Sequence, residues 1–501
     1  MKKIFNLFAI ASLLLAAGCD LDLLSPTSIT RAANEIEDNQ YTTRADMEGL
    51  RNSIYNSWCK DIQEKGHLDY LVYSECHADN AYCGNPGTSE ILTVESNNQD
   101  PENYNLTRDW NWYLGQVSNA NQIICNIDAI KEKDASMTQA EHDRWKAEAY
   151  CWRAFNLHRM CELWGDVPLV TVIPPVITSE NIEDVYDLYY PPRTPIADVY
   201  DQMIQDLEYA VQHAPDPDPS NKFVFSKGFA AGMLARIYAE APRRDWNKVA
   251  QYCRSVEDMG YSLVDDYGQM WAYTLGDDGD AVRNTSESIF EVQWSRSSGN
   301  WLFMMYHRNA YNPDDSYTWI KWVTPSRDLI AAYDAEGDTQ RKNAGIIFDQ
   351  CSWSQYYPSS SYAFMHKVPT NASSILLMRL GEIYLLHAEA LAMTDDFAGA
   401  AEYVNRIRRR AGLGNLPASA SANRDAMVDA ILKERRLELA FEGFRFFDLV
   451  RHGKAIEVCN AVPQTDSYWQ KRFPMSEETM LMPVPQEAMN QNPNLVQNPG
   501  Y

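Results

Sequence analysis

Basic residues are scarce in this chain of 501 residues: 44 lysines and arginines face 69 aspartates and glutamates, a formal net charge of −25. Nothing on such a surface can neutralise phosphates, which excludes a nucleic-acid backbone as partner and favours neutral or cationic ligands. Long apolar runs are also missing, for beyond the N-terminal segment no stretch is apolar enough to cross a bilayer. Cysteine is sparse. Ten occur, and those beyond Cys19 are odd in number and widely spread, so they form no disulfide scaffold. Cys76 and Cys83, with His77 beside one of them, leave a local bridge or a metal clip conceivable, but zinc spacing fails for want of a second close pair. No metal or cofactor is expected. The Asp-rich spot 277–280 allows calcium, although such a run reads first as a solvated turn.

What is present is apolar enough to fold. Hydrophobic residues make up 45% of the chain and aromatics 12%, a globular composition with room for a large core. Lys2 and Lys3 precede an apolar run at 4–17 that is too short to span and has the form of a secretory core. It ends Leu15-Ala16-Ala17-Gly18-Cys19, which resembles a bacterial lipobox with Ala16 where leucine is usual. Residues 1–18 are therefore expected to be a signal peptide, Cys19 the lipidated first residue and 19–40 a polar tether. Stable anchoring through acyl chains takes two or more of them.

Helical periodicity dominates the rest, with helices expected over 46–58, 107–130 and 139–164, the last stopped by Gly165-Asp166-Val167-Pro168. Thr194 is expected to cap a further helix that has Pro195 at its first position. A long loop fills about 75–105. Residues 223–240 followed by 245–252 parallel 375–391 followed by 396–403, each reading helix, turn, Asp-aromatic, helix. Small residues share a face in both, Ala231, Ala235 and Ala239 in one and Gly381, Ala388 and Ala392 in the other. This is the pattern of tetratricopeptide-like hairpins, which bury their apolar faces by stacking.

The stretch 434–453, ERRLELAFEGFRFFDLVRHG, alternates charge and bulk. Glu434, Glu438 and Glu442 fall on one helical face, with Arg435 three residues before Glu438 and Arg445 three before Asp448. So apolar a segment must be buried, and its charges then require partners inside. An interior ion-pair network is the expected reading. Two carboxylate pairs, Glu438 with Glu442 and Glu75 with Asp79, are the candidates for a rival acid–base function in an all-helical glycosidase or lyase. The first is neutralised by arginines, and nothing in the sequence around the second suggests a raised pKa.

Residues 261–374 differ in texture. A short strand at 289–294 leads into Trp301, Tyr306, Tyr311, Tyr317, Trp319 and Trp322 amid Asn, Gly, Pro, Asp and Ser. Six rings in so short an irregular stretch exceed what a loop needs for its own anchoring, and rings in a concave site stack on the apolar faces of sugars.

The motifs together resemble the SusD/RagB family of outer-membrane nutrient-binding lipoproteins of Bacteroidetes, nearly end to end. Those that carry the likeness are Cys19-Asp20-Leu21-Asp22 with Pro26, the run 147–154 (AEAYCWRA) continuing to 163–168 (LWGDVP), 379–385 (RLGEIYL), 405–408 (NRIR), 434–453, Pro483-Val484-Pro485, Asn492-Pro493 and 497–501 (QNPGY). Gly381 stands where alanine is commoner, Phe444 where a polar residue is usual and His452 where an aromatic is usual. The resemblance implies a mainly α fold of four tetratricopeptide-like pairs, with an irregular lobe of loops and short strands that carries the ligand. It also implies a partner, a SusC-like TonB-dependent outer-membrane barrel, over which the lipoprotein sits as a lid.

The chain is accordingly expected to be one unit over 41–501, with helical repeats at about 107–260 and 375–455 and variable regions at about 75–105 and 262–374. Its expected role is that of a non-catalytic, lipid-anchored protein on the cell exterior that captures oligosaccharide or polysaccharide and delivers it to the barrel. The same fold binding peptide or glycopeptide is the alternative, since cationic peptides would be drawn to its acidic surface. The location of the site carries over from the family, its residues do not. Trp301, Tyr306, Tyr317, Trp319 and Trp322 are the candidate stacking platforms, with Tyr82 opposite. Asn80, Asn85, Arg296, Asn300 and Asp315 are the candidate hydroxyl contacts.

Overall fold

The computed structural model describes residues 41–84, 89–312, 322–351, 356–466, 468 and 472–501. The expectations on 1–18, 19–40 and Cys19 therefore lie outside the described residues. Thr43 opens helix α1 (Arg44–Asp61) with a capping box, its hydroxyl accepting from Asp46 N–H while the Asp46 carboxylate accepts from Thr43 N–H. The helical body continues with α2 (Tyr104–Lys133), α3 (Gln139–Trp164), α4 (Ile196–His213), α5 (Lys227–Ala239), α6 (Trp246–Glu257), α7 (Leu380–Met393), α8 (Phe397–Arg410) and α9 (Arg424–Glu438). Each packs on the next in chain order, α6 on α7 included, although the chain between those two builds a separate lobe. This neighbour-to-neighbour stack is the tetratricopeptide-like arrangement expected. No helix among the described residues is long and apolar enough to cross a membrane.

Local chemistry sets the ends. Gly165 stops α3 with a φ of +74°, a conformation glycine adopts without steric cost. Asp245 and Asp396 cap α6 and α8 through the N–H groups of Asn247 and Lys248 and of Gly399. Two expectations need correction. Thr194 does not cap α4: it sits in a two-residue strand against Val167, and the first N–H of α4, on Ile196, donates instead to Asp166 at 2.8 Å. The helix expected from 375 begins five residues later. Residues 375–379 are extended because their side chains are buried on both faces and their backbone pairs with the strand at 288–292, a tertiary demand that overrides local pattern.

The strands are short and antiparallel. Besides the two-residue pair of Val167–Pro168 with Arg193–Thr194, they are in chain order β1 (Ala81–Tyr82), β2 (Ser288–Val292), β3 (Thr324–Pro325), β4 (Ile346–Asp349), β5 (Tyr362–Met365) and β6 (Ile375–Arg379). β1 pairs with β3, β2 with β6 and β4 with β5. The β1–β3 pair brings the segment after α1 against the irregular stretch near 300. The loop expected over 75–105 also carries a helix, Ser89–Glu95.

The ion-pair network is present, but it is tertiary rather than helical. α9 ends at Glu438, the chain turns through Phe441 and Gly443 at positive φ, and a new helix, α10 (Arg445–Arg451), follows. Glu442 nevertheless returns to the cluster. Arg379 donates to Glu287 at 2.7 Å, Glu438 at 2.6 Å and Glu442 at 2.7 Å, while Arg341 reaches Glu434 at 2.7 Å and Glu438 at 3.1 Å. Lys367 meets Glu442 at 2.6 Å, and Arg410 bonds Glu287 and Glu438. The pairings expected within the segment do not form: Arg435 serves Glu389 and Asp448 instead, and Arg445 clasps Asp79 through two nitrogens at 2.7 and 2.9 Å. Gly381 fits here for want of space, because a Cβ would lie 2.8 Å from Glu287 Oε1 and 3.0 Å from Glu438 Oε1.

Asp109, on α2, is buried and accepts from Tyr73 Oη at 2.8 Å and Arg108 Nε at 3.2 Å. Burial lifts its carboxyl to about 7 against the pull of Arg108. A raised carboxyl pKa penalises the folded state as pH climbs from the unfolded value of about 3.9 through the folded one, and the penalty is complete above it. Asp109→Asn is therefore expected to stabilise the protein by about 2 kcal/mol more at pH 8 than at pH 5. Urea unfolding midpoints at the two pH values test this, and equal shifts would mean that Asp109 is ionised throughout.

Candidate functional site

A run of ring contacts crosses the face where β1 and β3 meet. At one end the Arg327 guanidinium lies between two rings, 4.6 Å from the centroid of Tyr357 and 4.4 Å from that of Tyr468. Tyr362 follows at 5.6 Å from Tyr357, then Phe364 at 4.9 Å, His307 at 4.8 Å and His366 at 6.0 Å. Tyr273 lies 6.4 Å beyond His366 and Tyr311 another 6.4 Å on, where the Arg296 guanidinium covers it at 4.3 Å. The middle of the ribbon is buried and its two ends reach solvent, Tyr468 with 43% of its surface free. Both ends thus set an arginine guanidinium over a tyrosine ring.

The elements behind the ribbon fix it. Tyr82 in β1 is fully buried, stacks on Tyr356 at 4.4 Å, donates to Asp466 and accepts from Arg327 N–H at 3.1 Å. Tyr357 Oη donates to Pro325 O at 2.7 Å, and Tyr468 N–H to Asp466 at 3.0 Å. Asp349, at the end of β4, bonds both His307 and Arg308. Burial holds the His307 and His366 imidazoles down at about 4, so both are neutral at physiological pH.

Several expected site residues are placed elsewhere. Tyr82 is no exposed platform, since its ring and hydroxyl are spent inside the fold. Tyr306 is 1% exposed and edges onto His67, which makes it core. Asn80 is buried between Glu75 and Arg436 at 2.7 and 2.9 Å, and Asn300 Nδ2 is taken by the carbonyls of Asn371 and Ser373 at 3.1 and 2.9 Å. Both amides are structural because every polar atom inside requires a partner. Trp301 and Trp322 are half-buried against the main core. Arg296 is exposed, but its Nη1 closes the Asp-rich turn, donating to the carbonyls of Gly276, Asp277 and Gly279. Asn85, Asp315, Tyr317 and Trp319 lie outside the described residues. Tyr356, Tyr357, Tyr468 and Arg327 were missed. The adjacent tyrosines 356 and 357 were a legible signal within the variable region, whereas Tyr468, more than a hundred residues further on, carried none.

The rival carboxylate pairs are both buried. Burial alone would raise Glu438 and Glu442, but Arg410, Arg379 and Arg341 hold the first, and Arg379 and Lys367 the second, below the ordinary range. Asp79 is held low likewise, burial being outweighed by Arg436 and Arg445. Glu75 does have a raised pKa, caused by burial, yet its oxygens accept from Asn80 and from the N–H groups of Phe441 and Gly443 that close the turn after α9. Glu75, Asp79 and Glu438 are buried, and Glu442 keeps 6% of its side-chain surface free. Cys76 and Cys83 are free thiols in hydrogen-bonding contact, and no cluster of three or more His, Cys, Asp or Glu suited to a metal occurs among the described residues.

Comparison with known proteins agrees with this architecture. A model described as the SusD family matches residues 361–501, and one described as starch-binding associating with outer membrane matches 34–239. SusD-like protein P2 of Formosa agariphila is 25% identical over the whole of both chains. Among solved structures, a laminarin-binding SusD-like protein superposes with a TM-score of 0.71 at 22% identity, covering 92% of this chain and 100% of its own. A SusD homolog from Bacteroides thetaiotaomicron does so with 0.74 at 19%, covering 94% and 99%. End-to-end alignment, both family models in their expected order and the same helical fold lead to one conclusion: the chain belongs to the SusD/RagB family.

Proposed function

We propose that this protein is a non-catalytic glycan-binding lipoprotein of the outer membrane, anchored through Cys19 and facing the cell exterior, that captures oligosaccharide or polysaccharide and delivers it to a SusC-like TonB-dependent barrel. The observation that carries the reading is the aromatic ribbon, whose solvent-reaching ends pair Arg327 with Tyr357 and Tyr468 and Arg296 with Tyr311. Sugars offer an apolar ring face and a rim of hydroxyls, and these ends offer their complements. Half-buried Trp301 and Trp322 remain candidates, and Tyr317 and Trp319 remain candidates on the sequence pattern alone. The laminarin-binding name of one structural neighbour makes that glucan the first ligand to try.

The test is a binding screen of the chain without residues 1–18 and with Cys19 replaced, by affinity gel and calorimetry, against plant, microbial and host glycans. The expected result is retention of at least one glycan, with a negative heat-capacity change from ring stacking and no shortening of the ligand. Shortened products would turn the reading to an enzyme. A blank panel with folded protein would turn it to peptide cargo.

A further inference from the structure

A second pocket, of about 210 Å3, lies between the loop entering α5 and the start of β2. Three of the charged side chains that line it are already engaged. Arg144 donates to Glu148 at 2.8 Å, Asp216 takes Lys227 at 2.7 Å, and Asp218 accepts from the N–H and hydroxyl of Ser220 at 2.8 and 2.7 Å. The fourth is Lys222, which is 6% exposed, makes no hydrogen bond through Nζ and rests that atom 4.7 Å from the centroid of the Tyr261 ring. Its backbone is tied at both groups, N–H to Asn284 Oδ1 at 2.8 Å and carbonyl from Glu291 N–H at 3.2 Å. Burial lowers the pKa of the Lys222 ammonium against Glu291 and Asp218, which favour its charge, and Glu291 Oε1 already accepts from Asn284 N–H and Gln293 Nε2, each at 2.8 Å.

Two further features point the same way. Tyr261 Oη, also buried, makes no hydrogen bond of ordinary geometry, although the Ser226 hydroxyl is near enough to act on it, and a buried donor so placed gains from a ligand or water that meets it. Its ring fits because residue 228 is glycine; a Cβ there would lie 3.0 Å from the ring Cε2. Ser226, the N-cap of α5, lines the pocket as well and brings the positive end of that helix to it. Lys222 is therefore the charged side chain lining the pocket whose charged group makes no hydrogen bond or ion pair, with the carboxylates of Asp218 and Glu291 acting on it from further off.

We propose that this pocket binds a single uronic acid residue, its carboxylate paired with the Lys222 ammonium and accepting from the Tyr261 hydroxyl. Val224 and Ile289 supply an apolar wall for one ring face, and the exposed rim carboxylate of Asp216 accepts hydroxyl hydrogens. The volume falls below the roughly 300–1,000 Å3 of sites for larger ligands, which suits one ring rather than a chain.

Calorimetry and ligand-observed NMR on the same soluble chain test this, with galacturonate and glucuronate against galactose, glucose and acetate. Both neutral sugars and acetate are expected to bind at least tenfold more weakly than the better uronate. Lys222→Met is expected to lose at least tenfold in uronate affinity while leaving binding at the aromatic ribbon unchanged, so that the two sites succeed or fail separately. Should that variant not fold, Tyr261→Phe, which removes only the hydroxyl, is expected to weaken the uronate several-fold. Equal affinity for neutral sugar, equal affinity for acetate, or uronate binding untouched by the substitutions would each overturn the proposal.

Discussion

Arg379→Met is expected to destabilise the protein by about 3–5 kcal/mol, the usual cost of stripping one partner from a buried ion pair. Domains are stable by only about 5–15 kcal/mol, so little margin would remain. Arg379 is 1% exposed and three carboxylates, Glu287, Glu438 and Glu442, converge on it. Without it Glu442 keeps Lys367, Glu287 keeps Arg410, and Glu438 keeps Arg410 and Arg341, so the three carboxylates share three cations where they had shared four. The pH dependence identifies the cause. Carboxyls held below their ordinary range stabilise the fold above the unfolded value of about 4.3 and lose that contribution as pH falls through the folded value. Wild-type stability should therefore fall more steeply below pH 4 than that of the variant, whose carboxyls are depressed less. Urea midpoints between pH 3 and pH 7 measure both effects; a loss under about 1 kcal/mol would mean that water solvates the cluster.

The largest expected effect on binding is that of Tyr357→Ala combined with Tyr468→Ala, which should weaken the captured glycan by about 10- to 100-fold, or about 1.4–2.8 kcal/mol. Both rings flank Arg327, and together they form the accessible end of the ribbon nearest β1. Tyr82→Phe is the contrasting variant. It removes a buried hydroxyl that serves Asp466 and Arg327, so it should cost about 1–3 kcal/mol of stability and little affinity. Calorimetry with circular dichroism on the same samples separates the two. Full affinity in a folded double variant would move the sugar to the Tyr273 and Tyr311 end.

Much of the fold was legible because helices are local objects. The limits of α3 follow from Thr138 with Glu141 at one end and Gly165 at the other, and the Asp-aromatic starts of α6 and α8 from the same capping chemistry. The burial of charge in 434–453 was legible for a different reason: seven large apolar residues leave no face free for water. Partners were not legible. Arg445 meets Asp79, 366 residues away, and Arg435 passes over Glu438 for Glu389 and Asp448, because a guanidinium pairs with whichever carboxylate the packing brings within reach.

The site divides the same way. The meeting of the first loop with the stretch near 300 was expected from the family and is made by two residues of antiparallel pairing, Ala81 with Pro325 and Tyr82 with Thr324. Which rings face outward was not. Tyr306 and Tyr468 are alike as letters in irregular chain, yet one is core and the other nearly half exposed, since exposure is decided by what packs against a ring rather than by the residues beside it in sequence. By itself the sequence determined the helical repeats, the interior charges and the family, all of which rest on local pattern. Only the tertiary structure decided the ion-pair partners, the aromatic ribbon and the unspent ammonium of Lys222, because each depends on contacts between segments far apart in the chain.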